Sequence, residues 1–430
     1  MVRSKKAVLE ETTFRRQTTH HQGFTMKIRS ILFFVLFSSS VFFNSVRAAD
    51  GPFRLGIIGA TTSHVSAFAG LINAPDGQGL YAKYRVVGVY VGGMPDNDGS
   101  WDRIPNVVKW LEENNIPFYD TIEEMLENVD GILLESIDGR PHLEQARPVI
   151  AAGKPLFIDK PMAGSLADVI EIFRLAEEKQ VPVFSASSLR YVSGYQKMRN
   201  EEPQGKIFGA ESTSPCSFNE KHPDLFWYGI HGVEALFTVM GPGCKTVSRT
   251  KAESGELAVG VWDGGRVGTF RGIHQGKADY GVKVFCEKGI VEAGTYEGYK
   301  PLVDVILEFF ETGKTPIDPQ ETIEIFAFME ASDESVRQNG AAVSLEETIR
   351  KAKAIQFTYK TVELKANGDI LLDGNPVSKS QLKGKFTPSD DETKQIKMIL
   401  KAEKGVSLEA VREITALCDG KTVHLANYLY

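Results

Sequence analysis

Several features that would place this chain in a specialised class are missing. The 430 residues include only four cysteines, Cys216, Cys244, Cys286 and Cys418, and none has the C-x-x-C spacing of a zinc ribbon. We therefore predict buried free thiols, with disulfide pairing as the alternative in an oxidising compartment, and assign no metal site. Only 19 residues are prolines and 42% are hydrophobic, which excludes collagen-like and wholly disordered chains.

An excess of positive charge is also missing. The chain has 49 Lys and Arg against 56 Asp and Glu, a formal charge of −7. Residues 1–48 hold eight of the basic and two of the acidic residues, so the remainder carries 41 minus 54, or −13. An acidic body of this kind repels polyanions, and we therefore expect no nucleic-acid partner and no binding to anionic membrane surfaces.

No apolar run is long enough to predict a membrane helix. The longest, residues 31–43, falls short of the roughly 20 residues that span a bilayer. It follows the basic segment 26–30 and precedes the small-residue site at 46–49, an order typical of a cleavable signal peptide. We expect residues 1–48 to be a leader and the mature protein to be exported, periplasmic or extracytoplasmic, without a membrane span. Arg15-Arg16 leaves the choice between the general and twin-arginine export routes open.

Apolar runs and helical patterns define the expected architecture. From residue 53 to residue 187 short apolar strands alternate with helices, which predicts a parallel sheet covered on both faces. The fold class is α/β, with a Rossmann-like doubly wound parallel sheet at residues 51–188. An α+β domain with a mostly antiparallel sheet should follow at 189–353, then a small α+β module at 358–430. In that module we expect a hairpin at Asn367-Gly368 and helices at 393–402 and 407–418.

The turn after the first predicted strand has few glycines. A dinucleotide-binding turn carries G-x-G-x-x-G, whereas this chain has Gly59-Ala60-Thr61-Thr62-Ser63-His64, with only the first glycine. Hydroxyl groups at a helix N-terminus can bind phosphate, so residues 59–63 are predicted to contact a cofactor. An ordinary capped helix without a ligand is the alternative. The second strand ends without the acid that would bind a ribose, so NAD and NADP are not distinguished.

An ordered set of segments carries a family resemblance. Residues 129–136 read VDGILLES, Arg140-Pro141-His142 follow, and residues 151–161 read AAGKPLFIDKP. Together with GIIGA at 56–60 and SSLRY at 187–191, they resemble the Gfo/Idh/MocA oxidoreductases over about residues 54–353. The resemblance implies a Rossmann domain that binds NAD or NADP. It also implies a second domain, often the oligomerisation surface, that binds a sugar, inositol or related polyol.

The resemblance also implies site residues in the first domain. Asp159-Lys160-Pro161 takes the position of the family's E-K-P motif, which places Lys160 beside the nicotinamide and the substrate hydroxyl. A lysine at the carboxyl end of a parallel strand lies at the ligand crevice on physical grounds as well. The other residues of this domain predicted to contact the cofactor are Ser136, His142, Asp159 and Pro161.

A second motif lies in the following domain. The family's D-x-G-x-H-x-x-D is represented by WYGIHGVE at 227–234, where Gly229, His231 and Glu234 match but Trp227 replaces the first Asp. His231 is the predicted acid/base, with a hydrogen-bonded core histidine as the alternative. The residues predicted to bind substrate are Arg190, Tyr191, Trp227, Tyr228 and Glu234, and an ion pair between domains is the alternative for Arg190.

The last module resembles the extracytoplasmic domain of ExbD/TolR transport proteins at residues 367–377 and 401–407, but lacks that family's membrane helix. This implies an envelope partner or merely additional fold surface. The chain as a whole is predicted to be an NAD(P)-dependent oxidoreductase of a sugar, inositol or polyol that retains its cofactor and forms a homo-oligomer. An NAD-using glycoside hydrolase would suit the same scaffold. The alternative is a non-catalytic sugar-binding or envelope-scaffold protein that has lost the cofactor.

Overall fold

The computed structural model describes residues 51–94, 96–386, 391, 393–417 and 423–425. The predicted leader and Cys418 lie outside the described residues. Cys216, Cys244 and Cys286 are buried free thiols, which confirms that prediction for three of the four cysteines. Within the described ranges no helix combines the length and apolar character needed to cross a bilayer.

The first domain is built on five parallel strands in the order β2-β1-β3-β4-β5. The strands are β1 (Phe53–Ile58), β2 (Tyr84–Tyr90), β3 (Gly131–Leu134), β4 (Leu156–Asp159) and β5 (Val183–Ala186). The helices are α1 (His64–Ile72), α2 (Asp98–Trp101), α3 (Ile104–Glu113), α4 (Ile122–Leu126), α5 (His142–Ala151) and α6 (Leu166–Lys179), with 3-10 turns at Gly79–Lys83 and Ser188–Tyr191. The strand order reverses between β1 and β3, and ligands of such sheets bind at that point.

Helix α6 shows how local sequence sets these elements. Ser165 caps it by accepting the N–H of Asp168 at 3.1 Å, and Gln180 ends it in the left-handed conformation. One face, including Val169, Ile172 and Ala176, is buried in the core at helical spacing. The parallel sheet predicted from the apolar runs is confirmed.

The second domain has a seven-stranded sheet in the order β11-β10-β6-β9-β8-β7-β12. Its strands are β6 (Ile207–Pro215), β7 (Cys244–Ala252), β8 (Gly255–Trp262), β9 (Val267–Ile273), β10 (Gly281–Cys286), β11 (Gly289–Glu292) and β12 (Val343–Ser344). The helices are α7 (Ser193–Glu201), α8 (Asp224–Trp227), α9 (Ile230–Met240), α10 (Lys300–Thr312), α11 (Pro319–Arg337) and α12 (Leu345–Lys353), with a 3-10 turn at Asp263–Gly265. Among the described strands of this second sheet, only β6 and β9 pair in parallel, so the predicted mostly antiparallel sheet is confirmed.

The chain order does not separate the two cores completely. Helix α10 lies in the predicted second domain, but Leu302, Ile306 and Phe309 belong to the buried cluster of the first sheet. A side chain at Gly131 of β3 would meet the ring of Phe310 at 2.7 Å. The predicted domain range 189–353 therefore contributes one helix to the first domain.

The C-terminal module is a third sheet with the order β15-β14-β13-β16-β17. Its elements are β13 (Gln356–Leu364), β14 (Ile370–Leu372), β15 (Asn375–Pro376), β16 (Lys394–Ala402), β17 (Val423–Leu425), α13 (Lys379–Lys383) and α14 (Leu408–Ala416). The predicted hairpin is present, since β13 and β14 pair antiparallel with Leu364 opposite Ile370.

The helix predicted at 393–402 is wrong, because this segment forms strand β16. Ile396, Ile399 and Leu400 have helical spacing, which misled the prediction. In the structure the segment pairs in parallel with β13 over nine residues, and Met398 and Leu400 face the module's core. Pairing with a long neighbouring strand outweighed the local pattern.

The module packs on helices α5 and α6 of the first domain. Lys397, only 2% exposed, forms an ion pair with the buried Asp168 and lies over the ring of Phe357 at 4.6 Å. Arg147 stacks on the ring of Tyr359 at 4.5 Å and bonds to its hydroxyl. No local pattern predicts this interface, because Lys397 and Asp168 are 229 positions apart in the chain.

Removing one partner of the Lys397–Asp168 pair should leave an unpaired buried charge. We expect Lys397→Met to lower the free energy of unfolding by about 3–5 kcal/mol, and Lys397→Met with Asp168→Leu to recover most of that loss. Urea unfolding measures both.

The exposed pair Lys379–Glu413 is the matched control in the same module. Lys379→Met should cost less than about 1 kcal/mol, because water already solvates both groups. A similarly small cost for Lys397→Met would contradict the account of this interface.

Candidate active site

The candidate site lies at the carboxyl ends of the parallel strands. Gly59 follows β1, Glu135 follows β3, Lys160 follows β4 and Ser187 follows β5. Because the strands are parallel, these residues share one edge of the sheet, around the reversal of strand order between β1 and β3. Side chains from the second domain complete this edge.

The turn after β1 is closed against its neighbours. Gly59 has a φ of +99°, and a side chain there would lie 2.6 Å from the Cα atom of Ser136, so glycine is required by close approach. The N–H groups of Gly59 and Ala60 donate to the carbonyls of Tyr90 and Val91 at 2.8 and 2.6 Å. These two amides therefore extend the sheet and do not face a phosphate.

The hydroxyl groups of this turn are also engaged. Thr61 Oγ1 accepts the N–H of Ile137 at 3.0 Å, and Thr62 Oγ1 accepts the N–H of His64 at 3.3 Å. Both threonines are at most 2% exposed. The hydroxyls of Thr61 and Thr62 are thus bonded within the protein, and Ser63 is the exposed hydroxyl at the start of α1. The cofactor contacts predicted for residues 59–63 stay predictions.

His64 takes the place of the third glycine of the dinucleotide motif and reaches the DKP segment. Its Nδ1 lies 2.6 Å from Asp159 Oδ2, its ring stacks on Phe68, and Tyr299 packs edge-on at 4.7 Å. Burial by itself raises the pKa of Asp159, but His64 and Lys160 outweigh it and hold that pKa below its ordinary value. Asp159 is therefore an anion between two basic groups.

Lys160 and His231 come together from different domains. The His231 Nδ1 atom lies 2.7 Å from Ser187 Oγ, and its ring is buried at the start of α9. Burial, followed by the charge of Lys160, holds the pKa of His231 well below its ordinary value, so the imidazole is neutral. Lys160 is 6% exposed and forms no ion pair with another described residue. A small cavity of about 10 Å³ beside it is lined by Ser185, Glu234 and residues of α9 and α11.

Four tyrosines line the mouth of this cluster. They are Tyr228, Tyr280, Tyr296 and Tyr299. Tyr280, Tyr296 and Tyr299 pack in series, Tyr228 packs on His231 at 5.0 Å, and Tyr299 packs on His64. The hydroxyls of Tyr228 and Tyr280 lie 3.1 Å apart. Tyr228 was predicted as a substrate residue. The other three were missed, because no local pattern joins them to the segments that carry the family resemblance.

An unpaired carboxyl group lies beneath the cluster. Both carboxyl oxygens of Glu135 are buried and have no hydrogen-bond partner within the described part of the chain, and the same is true of Asp159 Oδ1 and Gln145 Nε2. Burial, followed by the nearby Asp159, raises the pKa of Glu135 well above its ordinary value. Buried polar atoms are normally paired, so this concentration at the strand ends indicates a place for a polar ligand or water.

Other predicted site residues are used by the protein itself. Arg190 donates to Glu234 at 2.7 Å and to Glu321 at 2.8 Å, and Glu234 accepts the N–H of Ser187 at 2.8 Å. This buried network joins the 3-10 turn after β5 to α9 and α11. Arg190 and Glu234 are thus paired within the protein, and the substrate contacts predicted for them stay predictions.

His142 also has a positioning role. It is fully buried, with Nε2 at 2.8 Å from the carbonyl of Ser136 and Nδ1 at 3.2 Å from that of Met162. It ties the loop after β3 to the loop after β4, whose Lys160-Pro161 peptide is cis. Ser136 donates to Gln145 Oε1 at 3.0 Å. Both side chains are therefore hydrogen-bonded within the protein, and the cofactor contacts predicted for them stay predictions.

The remaining predicted residues surround the cluster. Tyr191 has a buried hydroxyl without a hydrogen-bond partner among the described atoms, and Pro161 is buried. Trp227 is half-buried and packs on His222 at 5.0 Å. The roles predicted for Lys160, His231, Tyr191, Trp227 and Tyr228 stay predictions.

The edge beyond β2 is covered by other parts of the chain. In a dinucleotide-binding Rossmann domain the adenosine ribose lies at this position. Here Met94 is fully buried in the core cluster of the C-terminal module, and Asn97 donates to Asp138 at 3.0 Å. From the second domain, His222 lies 2.8 Å from Asp138, and Asn219 donates to Asn97 at 3.2 Å.

Asp138 carries the charge at this cover. It also accepts from the Arg140 guanidinium at 2.6 Å. Burial by itself raises the pKa of Asp138, but His222 and Arg140 outweigh it and hold that pKa well below its ordinary value. The cover is therefore fastened by a charged hydrogen-bond network.

This geometry can be compared with known proteins. Residues 53–187 match a model described as an oxidoreductase family with an NAD-binding Rossmann fold. The first domain matches the Gfo/Idh/MocA family. The match covers the β1 turn, the DKP segment and all five strands of this Gfo/Idh/MocA-type domain.

Individual proteins show a more distant likeness. An uncharacterized oxidoreductase of Synechocystis is 32% identical over 89 residues, which are 20% of this chain and 24% of that protein, so the match spans about a quarter of the relative's length. Scyllo-inositol dehydrogenase of Lactobacillus casei, solved in its apo form, has a TM-score of 0.56 at 11% identity, over 69% of this chain and 99% of the other.

The WlbA dehydrogenase of Chromobacterium violaceum, solved with NADH and UDP-GlcNAcA, has a TM-score of 0.54 at 17% identity, over 69% of this chain and 96% of the other. At these identities the structural likeness establishes the two-domain fold alone. Function for this chain has to be argued from its own residues.

The residues fit a nicotinamide cofactor unevenly. The unpaired Glu135, Gln145 and Asp159 atoms, with Lys160 above them, supply donors and acceptors for a polar group at the β3 and β4 ends. The diphosphate turn offers only the exposed Ser63 and the N-terminus of α1, because Thr61 and His64 occupy the positions of two glycines. The site can thus accept the nicotinamide end of a cofactor. It can accept the adenosine end only if the parts of the chain that cover Met94 and Asn97 move.

The buried carboxyl of Glu135 predicts an unusual dependence of stability on pH. Its folded-state pKa lies above its unfolded value, so the folded protein keeps a proton that the unfolded chain loses, and stability falls as pH rises above about 4.5. Glu135→Gln removes this loss. We expect the variant to exceed the original chain in free energy of unfolding by about 1–3 kcal/mol at pH 8, and by little at pH 5.

Urea unfolding at both pH values measures the difference. Glu113→Gln on the surface of α3 is the matched control, and it should leave the free energy of unfolding unchanged at both pH values. An equal effect of Glu135→Gln at pH 5 and pH 8 would show that Glu135 is not held neutral.

Proposed function

We propose that the protein is an oxidoreductase that moves hydride between a nicotinamide cofactor and a secondary alcohol or ketone of a sugar, inositol or related polyol. The observation that carries this proposal is the meeting of Lys160 and the neutral His231 at the end of β4, above unpaired buried polar atoms. The family match of residues 53–187 supports the same chemistry.

The chain's own residues have separate tasks in this reaction. The neutral His231 can accept the proton of a substrate hydroxyl, and Ser187 holds its ring in place. Lys160 places a positive charge beside the oxygen on which negative charge develops, and Asp159, held by His64, fixes the neighbouring backbone. The cofactor, when bound, supplies the hydride acceptor or donor.

The tyrosines at the mouth support a polyhydroxylated substrate. Aromatic rings pack against the apolar faces of sugar rings, and their hydroxyls pair with substrate hydroxyl groups. Tyr296 is 37% exposed, and Tyr228, Tyr280 and Tyr299 are half-buried, so the rings are accessible at the mouth. The inositol dehydrogenase and the UDP-sugar complex among the similar folds agree with this substrate class.

A second function is favoured by one observation. Thr61, Met94 and Asn97 are buried where a bound dinucleotide would extend, and the C-terminal module and the loop at 219–222 cover them. A protein fixed in this arrangement would bind sugars beneath the tyrosines without a cofactor. The proposed oxidoreductase instead needs this cover to open, which would make cofactor exchange slow and retention long.

Lys160→Met tests the oxidoreductase directly. We expect turnover of the best substrate in a panel of sugars, inositols and other polyols to fall by about 10²–10⁴-fold, with the fold and NADH binding retained. The readouts are nicotinamide absorbance for turnover and nicotinamide fluorescence for binding. Lys154→Met, at the opposite end of β4, is the matched control and should keep full activity.

Sugar binding without any nicotinamide binding in the unmodified chain would favour the second function. Unchanged turnover in Lys160→Met would remove Lys160 from the mechanism. The two results are separable, because fluorescence reports the cofactor and turnover reports the lysine.

We also propose that the mature protein works outside the cytosol and that its C-terminal module contacts an envelope partner. The order of basic, apolar and small residues at 26–49 supports export, and the ExbD/TolR resemblance supports the partner. Exclusion from a free nicotinamide pool would suit a cofactor that is retained and recycled.

A homo-oligomer is proposed through the open face of the second sheet. The strand registers place Val261, Val267, Phe285 and Ile290 in one row across β8, β9, β10 and β11, with Gly209 of β6 between them. All four side chains are 36–66% exposed. A continuous row of exposed apolar side chains is typical of a protein-protein contact, and this row suits contact with the same surface of a second copy.

Phe285→Asp should shift the protein to monomers, because it places a charge within this apolar row. Light scattering coupled to size-exclusion chromatography gives the mass. Phe118→Asp, at an equally exposed phenylalanine of the first domain, should leave the mass unchanged. A monomeric unmodified chain would contradict the proposal.

A further inference from the structure

A cluster of three metal-binding residue types lies in the second domain, away from the residues assigned to the crevice. Cys216 follows β6, Glu256 is the second residue of β8 and His274 follows β9. One ligand atom from each residue, a thiol sulfur, a carboxylate oxygen and an imidazole nitrogen, lies within 4.8 Å of the other two, and Cys216 Sγ and His274 Nε2 lie 2.8 Å and 3.4 Å from Glu256 Oε1. We propose that these residues bind one divalent zinc-type cation.

The ligand set matches the chemistry of zinc. Thiolate, imidazole and carboxylate bind Zn²⁺ at about 2.0–2.3 Å, so three ligand atoms within 4.8 Å of one another can reach a common ion with small adjustments. Calcium and magnesium prefer oxygen ligands, which a cysteine and a histidine do not supply. Three protein ligands leave a fourth tetrahedral position for water.

Two glycines let the backbone approach the ligand side chains closely. A side chain at Gly272 would lie 2.8 Å from Cys216 Cβ and 2.9 Å from Glu256 Oε1, and one at Gly229 would lie 3.1 Å from Cys216 Sγ, so a larger residue at either position would displace the ligands. Cys216 and Glu256 are buried, and the His274 side chain is 11% exposed. The site is therefore enclosed, with access from the side of the histidine.

The surrounding groups orient the carboxylate. Arg249 pairs with Glu256 through Oε2 and leaves Oε1 toward Cys216, as the outer hydrogen bonds of metal ligands commonly do. Asp224 lies on the other side of this network, where it pairs with Arg249 and Lys251.

The ion would have a structural consequence for the cover described above. Cys216 begins the segment that carries Asn219 and His222 to the first domain. A metal bound to Cys216 would hold the start of this segment to β8 and β9. This proposal does not depend on the oxidoreductase function, because none of its residues takes part in that reaction.

Cobalt binding to the full chain tests the proposal. After removal of metals with a chelator, one equivalent of Co²⁺ should bind, with a thiolate-to-cobalt charge-transfer band and the visible bands of a tetrahedral ion. Zn²⁺ should displace it one for one. Cys216→Ser should abolish the charge-transfer band, and His274→Gln should weaken Co²⁺ binding at least tenfold.

Cys244→Ser removes another buried thiol and should leave the spectrum unchanged. Absence of the charge-transfer band from the original chain, or its persistence in Cys216→Ser, would overturn the proposal. Should Cys216→Ser fail to fold, His274→Gln decides alone, since an unchanged affinity would equally overturn it. Thermal unfolding with and without Zn²⁺ is a second measurement. Zn²⁺ should raise the unfolding temperature of the original chain but not that of His274→Gln.

Discussion

Buried ionisable groups at the strand ends must be paired or neutral, and this constraint governs the candidate site. Asp159 stays charged because His64 and Lys160 flank it, whereas Glu135 has no hydrogen-bond partner among the described atoms and keeps its proton. His231 is neutral because it is buried beside Lys160. The same edge of the sheet thus brings together a cation, an anion, a neutral base and a neutral acid, a distribution that suits proton transfer.

At one end of the site the proposed catalytic groups are in place, whereas at the other end the expected position of the adenosine is covered by the chain. Replacement of two motif glycines by Thr61 and His64 serves both, because His64 orders Asp159 while Thr61 joins the β1 and β3 loops. The closed end is assembled from three parts of the chain, since Met94 enters the core of the C-terminal module and His222 reaches Asp138 from the second domain. A third module absent from the family resemblance is therefore placed where it can influence cofactor access.

Much of the fold followed from the sequence, because buried parallel strands are continuous apolar runs and the parallel sheet predicted from them is present. Local pattern failed at β16, where helical spacing was outweighed by pairing with β13. It also failed for the site wherever partners were distant: the role of Thr61 depends on Ile137, and that of Arg190 on Glu234 and Glu321. Such pairings are set by tertiary packing, so neither the four tyrosines nor the Cys216 cluster could be assembled from spacing alone.

The central claim is that the edge above Glu135 and below the tyrosines receives a nicotinamide despite the cover at its adenosine end. Titration of the mature protein with NADH, followed by energy transfer from protein to nicotinamide fluorescence, tests this most directly. We expect saturable binding of one NADH per chain with slow association and slow release, because the cover must open. Absence of binding, in a sample that still binds a sugar or polyol, would contradict it.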